Sequence, residues 1–380
     1  MVKSNDRIFY ACQGVSIASY CNGAANVPTS AMVHGLQSVG VTTNFSLEQA
    51  FELGQIEIYE NIEGTPDVEV TLEKVLDGYP LMYHMASTGV IGSSASGLVA
   101  RSKERCDVRL GIFPEESNFI KSASAPNGAP AEVYMSGMYV SSISYSLGSD
   151  GNATESVTLV GNNKKWFDNA DGRMQQSTVA NFDGLDEPLG LGSDADPSGG
   201  VSQKEDVLIS GCIFPISVEG VLTAGAYNNA GNGRVPVQSI SVSTDFSRED
   251  VFELGKKTPY ARPAAFPIEV TCDIESISTS GDFVEATEAG DYGLYATVSS
   301  GNNTPNESMF FYTRNGLGLD LGAKNRLSSV SYGGGDAGGG NATVTYSYVN
   351  YNDLDVQMRQ NGYIGFEFLK NNSSLFPADL

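Results

Sequence analysis

The chain has 380 residues, enough for two domains at about 150 residues each, with 41% hydrophobic and 18% charged residues, as in folded proteins. Its formal charge is −23, with only two histidines. So acidic a chain repels duplex DNA and anionic membranes at long range, which argues against a protein that grips nucleic acid. It does not exclude one past which nucleic acid slides.

The N-terminus, MVKSNDRIFYACQGVSIASYCNG, is charged through Arg7 and then interrupts its apolar part with Gly, Gln and Ser. It is a poor signal peptide, and no run of 18 apolar residues follows, so a soluble, unexported chain without membrane contact is expected. Cys12, Cys21, Cys106, Cys212 and Cys272 are odd in number and never spaced as CxxC. That indicates neither a zinc knuckle nor a disulfide framework, and fits a reducing compartment.

From Leu36 the chain reads LQSVGVTTNFSLEQAFELG, and from Val237 it reads VQSISVSTDFSREDVFELG, with 11 identities in 19 positions. The order then repeats: EVT at 69–71 and 269–271, SSISY at 141–145 and SSVSY at 328–332, NAT at 152–154 and 341–343, with a fainter echo of DRIFYAC in DVLISGC. Several blocks in one order indicate tandem duplication. The expected organisation is a first copy over 5–165, a connection over 166–204, a second copy over 205–352 and an extension over 353–380.

VGVTT, QIEIYENI, VEVTLEKV, YVSSISYS and ESVTLVG alternate and are rich in Val, Ile, Thr and Tyr, which predicts strands. SISYSLGSDGNATESVTLV and SVSYGGGDAGGGNATVTYSYV read as hairpins around Gly/Asp-rich turns. The expected fold is mainly β: two tandem antiparallel β-sandwich or barrel domains, each with a short flanking helix. The helix is assigned to NFSLEQAFELG and DFSREDVFELG. Ser46 and Ser247 stand as N-caps, Gln49 and Asp250 three residues on, Phe45/Ala50 and Phe246/Val251 as staples, and Gly54 and Gly255 as left-handed C-terminal residues. In QIEIYENI, alternation sets Ile56, Ile58 and Ile62 on one face and Glu57, Tyr59 and Asn61 on the other, so Glu57 is expected to face solvent or a lumen.

Residues 166–206 carry nine acidic and two basic residues and little periodicity, and read as a long surface connection. Within it, DADPSGGVSQKE matches the twelve-residue calcium loop: Asp194, Asp196 and Ser198 at positions 1, 3 and 5, the Gly200 carbonyl at 7 and Glu205 at 12. Neither flank reads as an EF-hand helix, and a plain solvated linker is the competing account. The cofactor is therefore none, or Ca2+. Asn152-Ala-Thr and Asn341-Ala-Thr are better read as turns than as glycan acceptors.

Enzymatic signatures are missing: there is no GxSxG, HExxH or Walker loop. His84, in PLMYHMAS, has no nucleophile or ligand spacing beside it and is expected to pack against a sheet. The carboxylates of Glu48, Glu52, Glu57, Glu60 and Glu63 are partly duplicated, as Glu249 and Glu253, which suits an interface better than two active sites. No catalytic residue is assigned.

QSVGVTTNFSLEQAFELGQIEIYENIEGTPDVEVTLEKVLDG followed by SSISYSLGSDGNATESVTLVGNNKKW resembles bacteriophage tail tube proteins. In that family a β-sandwich with a flanking helix forms hexameric rings stacked into a DNA-conducting tube. The resemblance implies a virion protein of the tail, assembled in the host cytoplasm. Its partners would be copies of itself, other phage tail proteins, and double-stranded DNA passing through the lumen without specific binding. Two domains per chain imply three chains per ring, with true threefold and approximate sixfold symmetry. The repeated phrase would then be a subunit interface: Phe45, Leu47, Gln49, Phe51 and Glu52 in one copy, Phe246, Arg248, Asp250, Phe252 and Glu253 in the other. The alternatives are a calcium-stabilised β-sandwich binding module, an adhesin or carbohydrate binder for which the lone Trp166 is a thin platform, and another phage part such as a baseplate hub or neck protein.

Overall fold

The computed structural model describes residues 8, 13–19, 31–54, 56–77, 81–88, 97–112, 131–168, 201–204, 207–209, 236–278, 281–282, 284, 309–313, 317–322, 324–335 and 339–358. The first part of the chain forms β1 (Gln13–Ser19), β2 (Ala31–Met32), β3 (Leu36–Asn44), β4 (Leu47–Phe51), β5 (Ile58–Glu63), β6 (Asp67–Val75), helices α1 (Met82–Thr88) and α2 (Leu98–Arg101), β7 (Cys106–Ile112), β8 (Ala131–Gly148), β9 (Thr154–Gly161) and β10 (Lys165–Asp168). The second forms β11 (Val207–Ile209), β12 (Val237–Asp245), β13 (Glu269–Ile277), β14 (Phe310–Thr313), β15 (Leu317–Asp320), β16 (Arg326–Gly333), β17 (Thr343–Tyr351) and β18 (Asp355–Met358). Every strand pairing is antiparallel. The chain is mainly β, as its alternation predicts, and among the described residues no sheet closes into a barrel.

Eight strands run side by side in the order β3-β6-β9-β8-β12-β13-β17-β16. The first four belong to the first copy of the repeated sequence and the last four to the second, and both contribute to one uninterrupted sheet. Two bulges fix the correspondence. An extra residue, Gln37, interrupts β3 where Gln238 interrupts β12, and Ser141 interrupts β8 where Ser328 interrupts β16. Such bulges pin register, because a slip would turn the buried side chains outward. The pairings also correct one sequence match. Val68, Val70 and Leu72 sit opposite Thr43, Val41 and Val39, whereas Val270, Cys272 and Ile274 sit opposite Thr244, Val242 and Ile240. Glu69 therefore corresponds to Thr271, and the EVT echo is two residues out of structural step.

A second layer covers one face of this sheet. The N-terminal half of the 18-residue β8 pairs with β7 and β10, its C-terminal half with β9 and β12, so one strand serves both layers. The bend between the halves is held by Asp107, whose carboxylate accepts the Gly137 amide at 2.9 Å and the Tyr134 hydroxyl at 2.8 Å; Gly137 has φ +67°. In the second copy the equivalent strand is broken into β15 and β16, and β11-β14-β15-β18 form the covering layer. The core lies between layers, where Val70, Leu72, Val157, Leu159, Val242, Ile274 and Val344 alternate with outward polar residues. Each such apolar side chain contributes roughly 1.5–3 kcal/mol on burial.

The helices stand elsewhere than expected. Residues 47–51 are strand β4, paired with β5, so the capped helix over NFSLEQAFELG is not formed. Residues 246–265 are likewise extended, bridged at Arg248–Ala264 and Val251–Ala261. The physical reason lies in the same letters: Phe45, Leu47, Phe51 and Leu53 recur at even spacing, a strand period, and a helix of about seven residues is too short to persist by its own hydrogen bonds. Gly54 and Gly255 do have positive φ, +94° and +87°, but in the turns of extended arms. The two short helices lie within the first copy; among the described residues the second has none.

Candidate assembly surfaces

The junction between the copies is a main-chain ladder. Seven residue pairs join β8 to β12, from Ser142–Asp245 to Gly148–Ser239. Beyond Asp245 the second copy continues onto the first. Ser247, at φ +42°, turns the chain while its amide is held by the Asp245 carboxylate at 2.7 Å. The Phe246 amide donates to the Ser141 carbonyl, the bulge residue of β8, at 2.8 Å. Its ring is 0% exposed and lies 6.5 Å from that of Tyr83 on α1.

Arg248 and Arg262 pin this arm. The Arg248 guanidinium donates to Val140 O from Nε at 2.9 Å and from Nη2 at 2.6 Å, to Ser102 O at 2.5 Å and to Arg262 O at 3.0 Å. It also stacks over the Tyr139 and Phe246 rings, 5.1 Å from each centroid. Burial lowers its pKa to about 10. Arg262 pairs with Asp250 on its own arm at 2.6 Å and with Asp67, the first residue of β6, at 2.8 Å. Glu155 sets the floor beneath them: its buried carboxylate accepts the amides of Met82 and Tyr83 and the Tyr145 hydroxyl at 2.8, 3.1 and 3.1 Å, fixing α1 to β9. Burial raises the Glu155 pKa, against the opposing field of Lys74.

The first copy's arm is differently placed. Phe45 is 72% exposed, Leu47 63% and Phe51 68%; the tip residues Leu53 and Ile56 project fully into solvent. Its described ties to the second arm include the Thr65 hydroxyl, which donates to the Lys257 carbonyl. Where arm two has Arg248, Asp250 and Arg262, arm one has Leu47, Gln49 and Asn61 at the same pairing positions. Among the described residues β3 pairs only β6 and β16 only β17, leaving both outer edges of the sheet unpaired.

The face of the eight-stranded sheet turned away from the core is paved with small hydroxyls and carboxylates. Thr42, Thr158, Ser144, Ser241, Thr345 and Ser331 lie along it, with Glu69, Glu73, Asp273 and Glu275 between them, half-buried or exposed. Lys74 points the opposite way, into the interior. The two copies repeat one detail: Ser38 donates to Glu73 at 3.4 Å, and the equivalent Ser239 to Glu275 at 3.2 Å.

The residues chosen from sequence thus divide. Phe246, Arg248 and Asp250 are brought together at the junction, while Phe252 and Glu253 stay exposed beyond it. Phe45, Leu47, Gln49, Phe51 and Glu52 lie on the outlying arm. Glu57 is exposed near the arm's tip, but Ile56, Ile58 and Ile62 are exposed too, so that strand has no buried face. His84 packs inside, its Nε2 2.7 Å from the Val356 carbonyl. Asp194, Asp196, Ser198, Gly200 and Glu205 lie outside the described residues. Sequence reasoning missed Arg262, Tyr83 and the acidic open face, although the alternation of Glu69 and Glu73 with Val68, Val70 and Leu72 marks that face in plain sight.

No protein-family model matches the chain. No curated protein matches it either. Among solved structures, it is similar to a chain in the cryo-EM structure of the anti-feeding prophage (AFP) baseplate, 6-fold symmetrised, with 12% sequence identity and a TM-score of 0.28, over 43% of this chain and 97% of that chain. So distant a likeness carries no argument about function.

Proposed function

We propose that this chain is a non-catalytic structural protein of a bacteriophage tail tube, three copies forming a ring of six repeats that stacks into a channel for DNA. The observation that carries the reading is the junction itself. Two copies of one unit join edge to edge through β8 and β12, and the outer edges, β3 and β16, are the same two kinds of edge left without a partner. A head-to-tail contact of that kind repeats until it closes or runs on as a filament. Six units per turn, as the resemblance implies, are supplied by three chains.

The open face suits a channel wall. Among the described residues its carboxylates and hydroxyls carry no intervening cluster of Lys or Arg, so the face repels phosphate and displaces none of the DNA's condensed counterions, and DNA is neither held nor read. Other tail proteins are the expected partners at the ends of the stack. Negative-stain microscopy and native mass spectrometry of the purified chain test the proposal. Rings or tubes with three chains per ring are expected; a chain that stays monomeric across all concentrations and salts overturns it.

A further inference from the structure

We propose that residues 45–64 are an interchain arm, docking on the second copy of a neighbouring chain as residues 246–265 dock on the first copy of their own, and that this outer seam lacks the inner seam's ionic pins. The inference rests on the ring reading and names its contact. The bulges give the mapping: β12 corresponds to β3 through Gln238 and Gln37, and β8 to β16 through Ser141 and Ser328. Asp245 opposite Ser142 then becomes Asn44 opposite Ser329 of the neighbouring copy. Ser243 opposite Ser144 becomes Thr42 opposite Ser331, and Ser241 opposite Ser146 becomes Gly40 opposite Gly333.

The arm follows from the same step. The Phe246 amide donates to the carbonyl of Ser141, the bulge residue, and its ring is buried. Phe45 holds that place in the first copy, and Ser328 is the bulge residue awaiting it. An arm exposing Phe45, Leu47 and Phe51 together is an apolar patch of a kind that marks a contact surface. The occupant is a second copy of this chain, because the inner seam displays the complementary edge and bulge in one molecule.

The chemistry of the two seams then differs. Arg248, Asp250 and Arg262 lock the inner seam, and Leu47, Gln49 and Asn61 stand in their places at the outer one. With Leu47 in the place of Arg248, the guanidinium that meets the Val140 carbonyl has no counterpart on this arm for the carbonyl of Leu327. At −23 per chain, neighbouring copies repel over a Debye length of about 10 Å at 0.1 M salt. Added salt therefore strengthens the outer seam, by screening repulsion without breaking an ionic pin.

Mild oxidation of full-length Thr42→Cys/Ser331→Cys, read on denaturing gels, tests the register. The lone substitutions Thr42→Cys and Ser331→Cys, made like the pair on the parent with its five native cysteines, and the out-of-step pair Thr42→Cys/Gly333→Cys serve as controls. In-step disulfides joining chains into a species of three are expected, with Phe45→Ala weakening association about tenfold or more while the melting temperature of the monomer holds. In-step bridging no faster than in the controls, or Phe45→Ala assembling like the parent, overturns the inference even where microscopy shows rings. Absence of rings in the parent chain overturns the ring reading instead, and the inference with it. Association that weakens as salt rises from 50 to 500 mM refutes the account of the two seams.

Discussion

Phe45 and Phe246 occupy one place in a repeated phrase, yet Phe246 is sealed beneath Arg248 against Tyr83 while Phe45 stands in solvent. Truncating each therefore separates folding from assembly. Phe246→Ala opens a cavity at the junction and is expected to cost about 3–5 kcal/mol of stability. Phe45→Ala is expected to stay within about 0.5 kcal/mol of the parent, as a surface substitution. Urea denaturation under monomeric conditions measures both.

Arg248→Leu gives the second copy the first copy's residue. It removes the donors to the part-buried Val140, Ser102 and Arg262 carbonyls. A loss of roughly 2–4 kcal/mol is expected from carbonyls left unsatisfied. Arg262→Ala leaves Asp250 and Asp67 without their shared cation and is expected to cost about 1–2 kcal/mol, less than a fully buried pair because both carboxylates keep contact with water. Both losses are readable as shifts in the denaturation midpoint with unchanged slope.

His84 makes the fold acid-sensitive. Its burial, with the Arg101 charge nearby, lowers its pKa from 6.5 to about 4, despite the Val356 carbonyl it meets. Between those values the unfolded chain binds the extra proton, so this contribution to stability is complete above pH 6.5 and is lost as pH falls towards 4. The span amounts to about 3 kcal/mol. Glu155 works in the opposite sense: its raised pKa makes its contribution fall as pH rises above 4.5. The difference between the parent and His84→Gln, measured in urea from pH 4 to 7, isolates the histidine. A parallel pair of curves refutes it.

Charge reversal on the open face is expected to turn an indifferent wall into a retaining one. Glu73→Lys/Asp273→Lys alters exposed positions, so far-UV circular dichroism and melting temperature should hold. Assembled rings of the variant should bind a labelled DNA duplex with affinity that falls steeply with salt, and rings of the parent should not. Fluorescence anisotropy distinguishes the two.

Much of the fold was legible because a half-buried strand writes its period into the sequence. Val68 to Leu72 and Val157 to Leu159 alternate without a break, and duplication let one copy check the other. The arms misled because Ser46, Gln49 and Gly54 satisfy helix-capping rules that consider three or four positions, whereas pairing with β5 depends on residues seven to sixteen away. β14 and β15 are four residues each, too short for any period to show. Nor does the spelling of Phe45 and Phe246 disclose that one is buried and the other bare. That difference comes from where each copy sits in the sheet, not from the phrase.

The hydroxyl-paved face also has a shape. Serine and threonine reach only one heavy atom beyond Cβ, so between the few glutamates and aspartates its relief is shallow, and each hydroxyl can hold a water rather than catch a passing group. Near the sheet's outer edge the relief rises, where exposed Arg326 and Tyr351 stand on the same side as the hydroxyls.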